Sequence, residues 1–228
     1  MNGPVDLYKI TTPDLQRAVG DGDLHSVTAA LINCADPNAL AAYGDPMLVV
    51  ASSRGHLKIV EILLEYGADP NMSTQNGSAL LQTVTCGHPC IADALISAGA
   101  TFSWRHADQA ALYNRVSLLN LFLAGGVPVN QVNGNGDTLL MSAAYGGHVH
   151  AVQTLLDAGA NVNASNDNGW TALLAATSNG KDDVVKLLLQ AGADPRAADK
   201  SGDTPLKMVT QEGHTKIAAL LKEAGANK

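Results

Sequence analysis

Residues Asn135 to Asn163 read NGDTLLMSAAYGGHVHAVQTLLDAGANVN. Gly136-Asp137 makes a turn. Leu140, Met141, Ala143 and Ala144 cluster in a short apolar helix that Gly146-Gly147 interrupts. Val149, Val152, Leu155 and Leu156 follow at i, i+3, i+6 and i+7, the spacing of one face of an amphipathic helix. Gly159 stands where a left-handed glycine ends a helix. Two helices this short cannot bury their own apolar stripes, so the stretch requires copies of itself on both sides.

The chain supplies them. NGWTALLAATSNGKDDVVKLLLQAGADPR runs from Asn168 to Arg196, SGDTPLKMVTQEGHTKIAALLKEAGANK from Ser201 to Lys228, and YGDPMLVVASSRGHLKIVEILLEYGADPN from Tyr43 to Asn71. Weaker copies fill the gaps. The helix-ending positions are Cys34, Gly67, Gly99, Gly126, Gly159, Gly192 and Gly225, spaced by 33, 32, 27, 33, 33 and 33 residues. A period near 33 with two helices in each period is the mark of a solenoid.

These residues resemble the ankyrin repeat family. Thr204-Pro205-Leu206 is similar to the start of the family pattern. Gly55-His56, Gly147-His148 and Gly213-His214 match its middle, and Leu63-Leu64 with Gly67-Ala68-Asp69-Pro70-Asn71 its end. The resemblance implies an all-α solenoid of helix-turn-helix units joined by β-hairpin-like loops, with a concave face of hairpin fingers and first helices on which partners dock. One departure is that no copy keeps the family's T-P-L-H histidine. Gln16, Val49, Leu81, Asp108, Met141, Leu174 and Lys207 occupy that position.

On this reading residues 1–12 are a lead-in and residues 13–228 form one domain of seven repeats. Gln16 and Arg17 give the first repeat a polar outer face. Lys207 and Lys222 do the same for the last, since burying an unpaired ammonium is costly. The two ends therefore read as caps of a complete array. The fourth repeat is shortened: its missing residues fall between Phe102 and Trp104, where a finger belongs, and its helices are expected at Ala107 to Tyr113 and Val116 to Leu123.

Net charge is −7 and uneven. From Lys181 onward the chain holds 8 basic against 7 acidic residues, and before it 6 against 14. No Lys or Arg lies between Lys58 and Arg105 or between Arg115 and Lys181, which argues against nucleic acid and suits a partner protein with a basic surface. No apolar run approaches the ~18 residues of a membrane span. Residues Met1 to Ile10 do not read as a secretory signal. Three cysteines make no disulfide framework. The expectation is a monomer in the cytoplasm.

Residue clusters that resemble metal sites dissolve on inspection. Cys86-Gly87-His88-Pro89-Cys90 is the interhelix turn of its repeat and lacks a fourth zinc ligand. His148 and His150, at i and i+2, do not share a helix face. Asn133 to Asp137 and Asn161 to Asn168 each hold one carboxylate, too few for calcium, and read as hairpin turns. No nucleophile elbow, phosphate loop or H-E-x-x-H occurs. No metal, cofactor or catalytic residue is expected.

Binding remains: an adaptor, scaffold or inhibitor holding a partner protein on the concave face. The resemblance places Tyr43, Arg54, Trp104, Tyr113, Asp137, Tyr145, Trp170 and Glu212 there. Only 9 residues are aromatic. Both tryptophans with Tyr113 and Tyr145 fall on this face in three consecutive repeats, and such side chains dominate interface energy. They are expected to line one strip, with Asp137 and Glu212 at its rim. The alternative is an enzyme or small-ligand protein using the notch at the fourth repeat, which a buried polar pocket near Trp104 would favour.

Overall fold

The computed structural model describes residues 12–75, 77–212 and 214–226, with side chains described from Asp14 to Thr210 and from His214 onward. The lead-in expected at residues 1–12 lies almost wholly outside these. Fourteen helices appear among the described residues, in two compact units that meet at Phe102 and Ser103.

The first unit pairs α1 (Thr12–Asp21) with α2 (Leu24–Ile32), α3 (Met47–Arg54) with α4 (Leu57–Glu65), and α5 (Ala79–Cys86) with α6 (Pro89–Ser97). Strands β1 (Ser73–Thr74) and β2 (Gly77–Ser78) pair antiparallel before α5, and Leu40 bridges Pro46 before α3. The second unit holds α7 (Trp104–Leu112), α8 (Val116–Ala124), α9 (Leu139–Gly146), α10 (Val149–Asp157), α11 (Ala172–Ser178), α12 (Asp182–Gln190), α13 (Pro205–Glu212) and α14 (Thr215–Glu223). Its fingers close with the bridges Val132–Thr138 and Ser165–Thr171.

Within each unit first helices stack on first helices and second on second: α1, α3, α5 and α2, α4, α6 in one, α7, α9, α11, α13 and α8, α10, α12, α14 in the other. Neighbour stacking supplies the burial that a lone pair cannot. Ala30, Leu63, Leu95, Phe122, Leu155, Leu188 and Leu221 occupy one repeat position four residues before each helix stop, and all are fully buried. The buried face of α10 differs in detail from the expected one. Ala151, Val152 and Leu155 are buried, while Val149 is 37% exposed.

The seven helix stops all have positive φ, from 63° at Cys34 to 97° at Gly126. The loops behind them are fastened across repeats by asparagines. Asn163 donates from Nδ2 to the Gly192 carbonyl at 3.1 Å and accepts the Asp194 N–H at 2.8 Å. Asn38, Asn71 and Asn130 make the same pair of bonds to the loop of the following repeat.

The fourth repeat begins differently. Trp104, read as a finger remnant, is the first residue of α7, three residues before the expected start. Ser103 lies just before it, and its N–H donates to Nδ1 of His106 at 3.1 Å, one half of a capping box. The turn that should have formed a finger starts the helix instead.

The Gly-His turns also have a packing role. Gly22, Gly55 and Gly180 have positive φ, and a Cβ on them would lie 2.8, 2.7 and 2.8 Å from Cε1 of His56, His88 and His214. Each ring thus lies over the turn of the preceding repeat. Lys181 does the same over Gly147. His88 is engaged in this way, and Cys86 and Cys90 are exposed free thiols.

The two costs of a substitution at such a glycine can be separated. At Gly159 (φ 86°) a Cβ meets nothing within 4 Å, so Gly159→Ala is expected to cost about 1–2 kcal/mol from backbone strain alone. Gly55→Ala is expected to cost more, and His88→Ala in the same chain to remove the excess. Equal urea-denaturation losses for the two single variants would show that the ring is not packed on the turn.

Candidate functional site

A cleft of about 340 Å³ opens on the first helices of the second unit. Helix α7 contributes Asp108 and Leu112, one turn apart. Helix α9 contributes Met141, Ser142 and Tyr145, and α11 contributes Ala175. The two fingers between them add Asn133, Asp137, Asn166, Trp170 and Thr171. The helical residues share one side of their stack because i, i+3 and i+4 positions share a helix face.

The fingers are held by their own polar side chains. Oδ1 of Asn133 accepts the N–H groups of Asn135 (2.8 Å) and Asp137 (2.9 Å). Oδ1 of Asn166 does the same for Asn168 and Trp170, both at 2.9 Å. These are the side-chain-to-backbone turns that asparagine favours, so the calcium-like stretches serve as turns here. The fingers are also joined to each other: Asp167 N–H donates to the Asn135 carbonyl at 3.0 Å, and Lys200 N–H to that of Asn168 at 2.9 Å.

Two carboxylates face this cleft. Asp137 accepts from Nδ2 of Asn166 on Oδ1 (2.6 Å) and from Nδ2 of Asn133 on Oδ2 (3.0 Å). Asp108 accepts from the Ser142 hydroxyl on Oδ1 (2.5 Å) and from Nε2 of Gln109 on Oδ2 (3.4 Å). Burial raises the pKa of Asp108, the bonds from Ser142 and Gln109 oppose the rise, and the charge of Asp137 adds to it. The cleft lining includes no Lys, Arg or His.

The sequence-predicted residues separate. Asp137, Tyr145 and Trp170 come together in the cleft, where Tyr145 is 57% exposed and Trp170 half-buried. Trp104 does not line it. Its ring is half-buried and its Nε1–H donates to the Gln131 carbonyl at 2.9 Å, which uses its polar atom within the fold. Tyr113 caps α7, exposed but outside the cleft lining. The expected strip of four aromatics is therefore a pair. In the first unit Tyr43 is 94% exposed at a finger tip. Arg54 donates from Nη1 to the Gly20 carbonyl at 2.6 Å, at the C-terminal end of α1. The side chain of Glu212 lies outside the described residues.

Sequence reasoning missed Asp108, Ser142, Asn133 and Asn166 as site residues. The signal at Asp108 was a carboxylate at a repeat position held by Val49, Leu81, Met141 and Leu174 elsewhere. The first unit offers an internal control. A hollow there is lined by Asp45, Val49, Ser53 and Gln82, the repeat equivalents of Asp137, Met141, Tyr145 and Ala175. Gln16, Ser53 and Gly77 stand in the places of Asp108, Tyr145 and Trp170. The scaffold alone makes the hollow; the second carboxylate and both aromatics belong to the second unit.

Elsewhere on α7, His106 packs its ring near that of Phe122 and accepts at Nδ1, and its Nε2 is buried without a hydrogen-bond partner among the described residues. Burial, helped by the charge of Arg105, lowers its pKa to about 4.

Comparison with known proteins bears on the fold. A family model for ankyrin repeats (3 copies) matches residues 15–103 and 108–199. An L-asparaginase of Dirofilaria immitis is 31% identical over 130 residues, 54% of this chain and 22% of that protein. The regulatory protein SWI6 of Kluyveromyces lactis is 44% identical over 57 residues, 25% of this chain and 7% of that protein. The chain thus spans about a fifth or less of the curated relatives it matches. The human ASB11 ankyrin repeat domain superposes with a TM-score of 0.85 over 94% of this chain and 98% of that one. At 21% identity this is a likeness of fold alone.

Two pH-dependent outcomes are expected. His106 has a folded pKa near 4 against an ordinary 6.5, so as pH falls the unfolded chain binds the proton first. Its contribution to stability is complete above pH 6.5 and falls as pH drops toward about 4. His106→Gln keeps an acceptor for Ser103 and is expected to remove that loss, measured as melting temperature against pH. Asp108 has the opposite sign. With its folded pKa raised, its ionised form weakens the fold above that pKa. Asp108→Asn is expected to melt higher than the parent chain at neutral pH, with the gain disappearing as pH falls toward 3.8. A lower melting point at neutral pH would show that the ionised carboxylate stabilises the fold.

Proposed function

Because the chain belongs to the ankyrin repeat family, we propose that it is a protein-binding module whose partner docks on the inner face of the fourth to sixth repeats, in the cleft between Asp108 and Trp170. Ankyrin repeats generally mediate protein–protein interaction, and the fold is typically a non-enzymatic module. The observation that carries this reading is the contrast between the two units. The same scaffold hollow is lined by one carboxylate and no aromatic in the first, and by Tyr145, Trp170 and two carboxylates in the second.

Exposed aromatics in a partly enclosed hollow are the anchors of protein interfaces. Restrained carboxylates around them add selectivity for a basic partner surface. Tyr43, free of the cleft, and Arg54, tied to α1, are at most peripheral to this docking. Adaptor, scaffold and inhibitor roles all use such a face. No helix among the described residues is long and apolar enough to cross a membrane.

The test uses Tyr145, the more exposed aromatic of the pair. A protein captured by the parent chain and identified is measured for affinity against Tyr145→Ala, alongside the melting temperatures of both chains. An anchor's truncation costs about 2 kcal/mol or more of binding, roughly thirtyfold in affinity. It should leave the melting temperature nearly unchanged. Lost stability with unchanged affinity would make Tyr145 a packing residue and remove the site.

A further inference from the structure

Resting on that reading, we infer that the cleft receives a single arginine side chain of the bound protein, its guanidinium stacked against Tyr145 and Trp170 and donating to the carboxylates of Asp108 and Asp137. Four features lead to this occupant. The first is size: at about 340 Å³ the cleft is at the small end of ligand pockets, which span ~300–1,000 Å³. It suits one long side chain.

The second is uncompensated charge. The donors holding the two carboxylates come from Ser142, Gln109, Asn133 and Asn166, all neutral groups. They orient the carboxylate oxygens without cancelling their charge. Half-buried carboxylates against Leu112, Met141 and Trp170 are disfavoured until a cation arrives.

The third is the form of the cation. Two carboxylates on different elements, one on α7 and one on a finger, call for a forked planar donor. Guanidinium has that shape, is weakly hydrated and stacks on aromatic faces; ammonium is a compact, strongly hydrated point charge. Leu112 and Met141 would cover the aliphatic stem.

The fourth is the internal comparison. Where Gln16, Ser53 and Gly77 replace Asp108, Tyr145 and Trp170, both aromatic faces and one of the two carboxylates disappear together, and Asp45 alone stands in the place of Asp137. The joint presence of all three in the second unit fits a single ligand group needing both.

The experiment titrates the whole chain with acetyl-Gly-Arg-Gly-amide, its lysine analogue and its citrulline analogue, following the two tryptophan indole N–H signals by NMR. So small a ligand is expected to bind with Kd on the order of millimolar. The arginine peptide should shift the Trp170 signal in a saturable way and leave that of Trp104, bound to Gln131, in place. Lysine and citrulline peptides should bind about tenfold weaker or worse. The variant Asp108→Gln with Tyr145→Ser imports residues the first unit already carries at these positions, so it is expected to fold, as checked by circular dichroism, and to lose the response. An equal response to citrulline or lysine, an unchanged response in the double variant, or no saturable shift would overturn the inference. If the peptide fails while the captured partner still depends on Tyr145, the arginine inference falls and the protein-binding reading stands. If the peptide binds as expected while the partner ignores Tyr145, the reverse holds.

Discussion

Seven times along the described residues a second helix stops on a residue of positive φ, and four of the loops created by those stops are fastened to the preceding repeat by an asparagine. The constraint is local and steric, since only glycine takes this conformation cheaply. Its consequence is not local. The carbonyls of Gly67, Gly99, Gly159 and Gly192 accept the asparagine bridges from the repeat before. Stacked helices then bury what no pair could bury alone. Stability in such an array is a sum of repeat terms and neighbour terms, so the chain needs no single central core.

That scaffold leaves the exposed sides of the first helices and fingers free to vary. First helices and fingers present side chains whose loss would leave the leucine column intact. The fourth to sixth repeats use this freedom for an acidic, aromatic cleft. Burial pushes the pKa of Asp108 up, against the bonds from Ser142 and Gln109. A half-buried carboxylate at a position that Val49, Leu81, Met141 and Leu174 fill in four other repeats is what a functional site looks like in energetic terms.

Much of this was legible in the sequence. The period appeared in the glycines, and it found Cys34 as a helix stop although cysteine gives no chemical hint of φ 63°. It also placed Leu155 on the buried stripe of its helix. What was not legible came from competition between local and tertiary effects. Trp104 reads as an exposed anchor until Gln131 appears as the acceptor for its indole. Arg54 reads as a binding cation until the Gly20 carbonyl takes it. Val149 fits the helical stripe, yet burial falls on Ala151, because crossing geometry and not periodicity alone decides which edge of a stripe is covered. Asp108 was visible as an exception, but only the neighbouring fingers made it part of a cleft.

The asparagine is replaced in two repeats of the second unit, by Ser103 and by Arg196. Arg196 occupies the place of Asn163 at the joint between the sixth and seventh repeats, and its guanidinium faces Asp194 of its own loop. Besides helix stacking, that joint carries the Lys200–Asn168 backbone bond and the ion pair of Lys216 with Asp182 at 2.9 Å. The ion pair sits in solvent, where dissolved salt weakens it within about a Debye length of 8–10 Å. The asparagine bridges to Gly159 and Gly192 in the same unit are uncharged amides, which ionic strength leaves largely alone. The opening of the seventh repeat is therefore coupled to the salt content of its surroundings, through an ionic latch that the asparagine-bridged joints do not use.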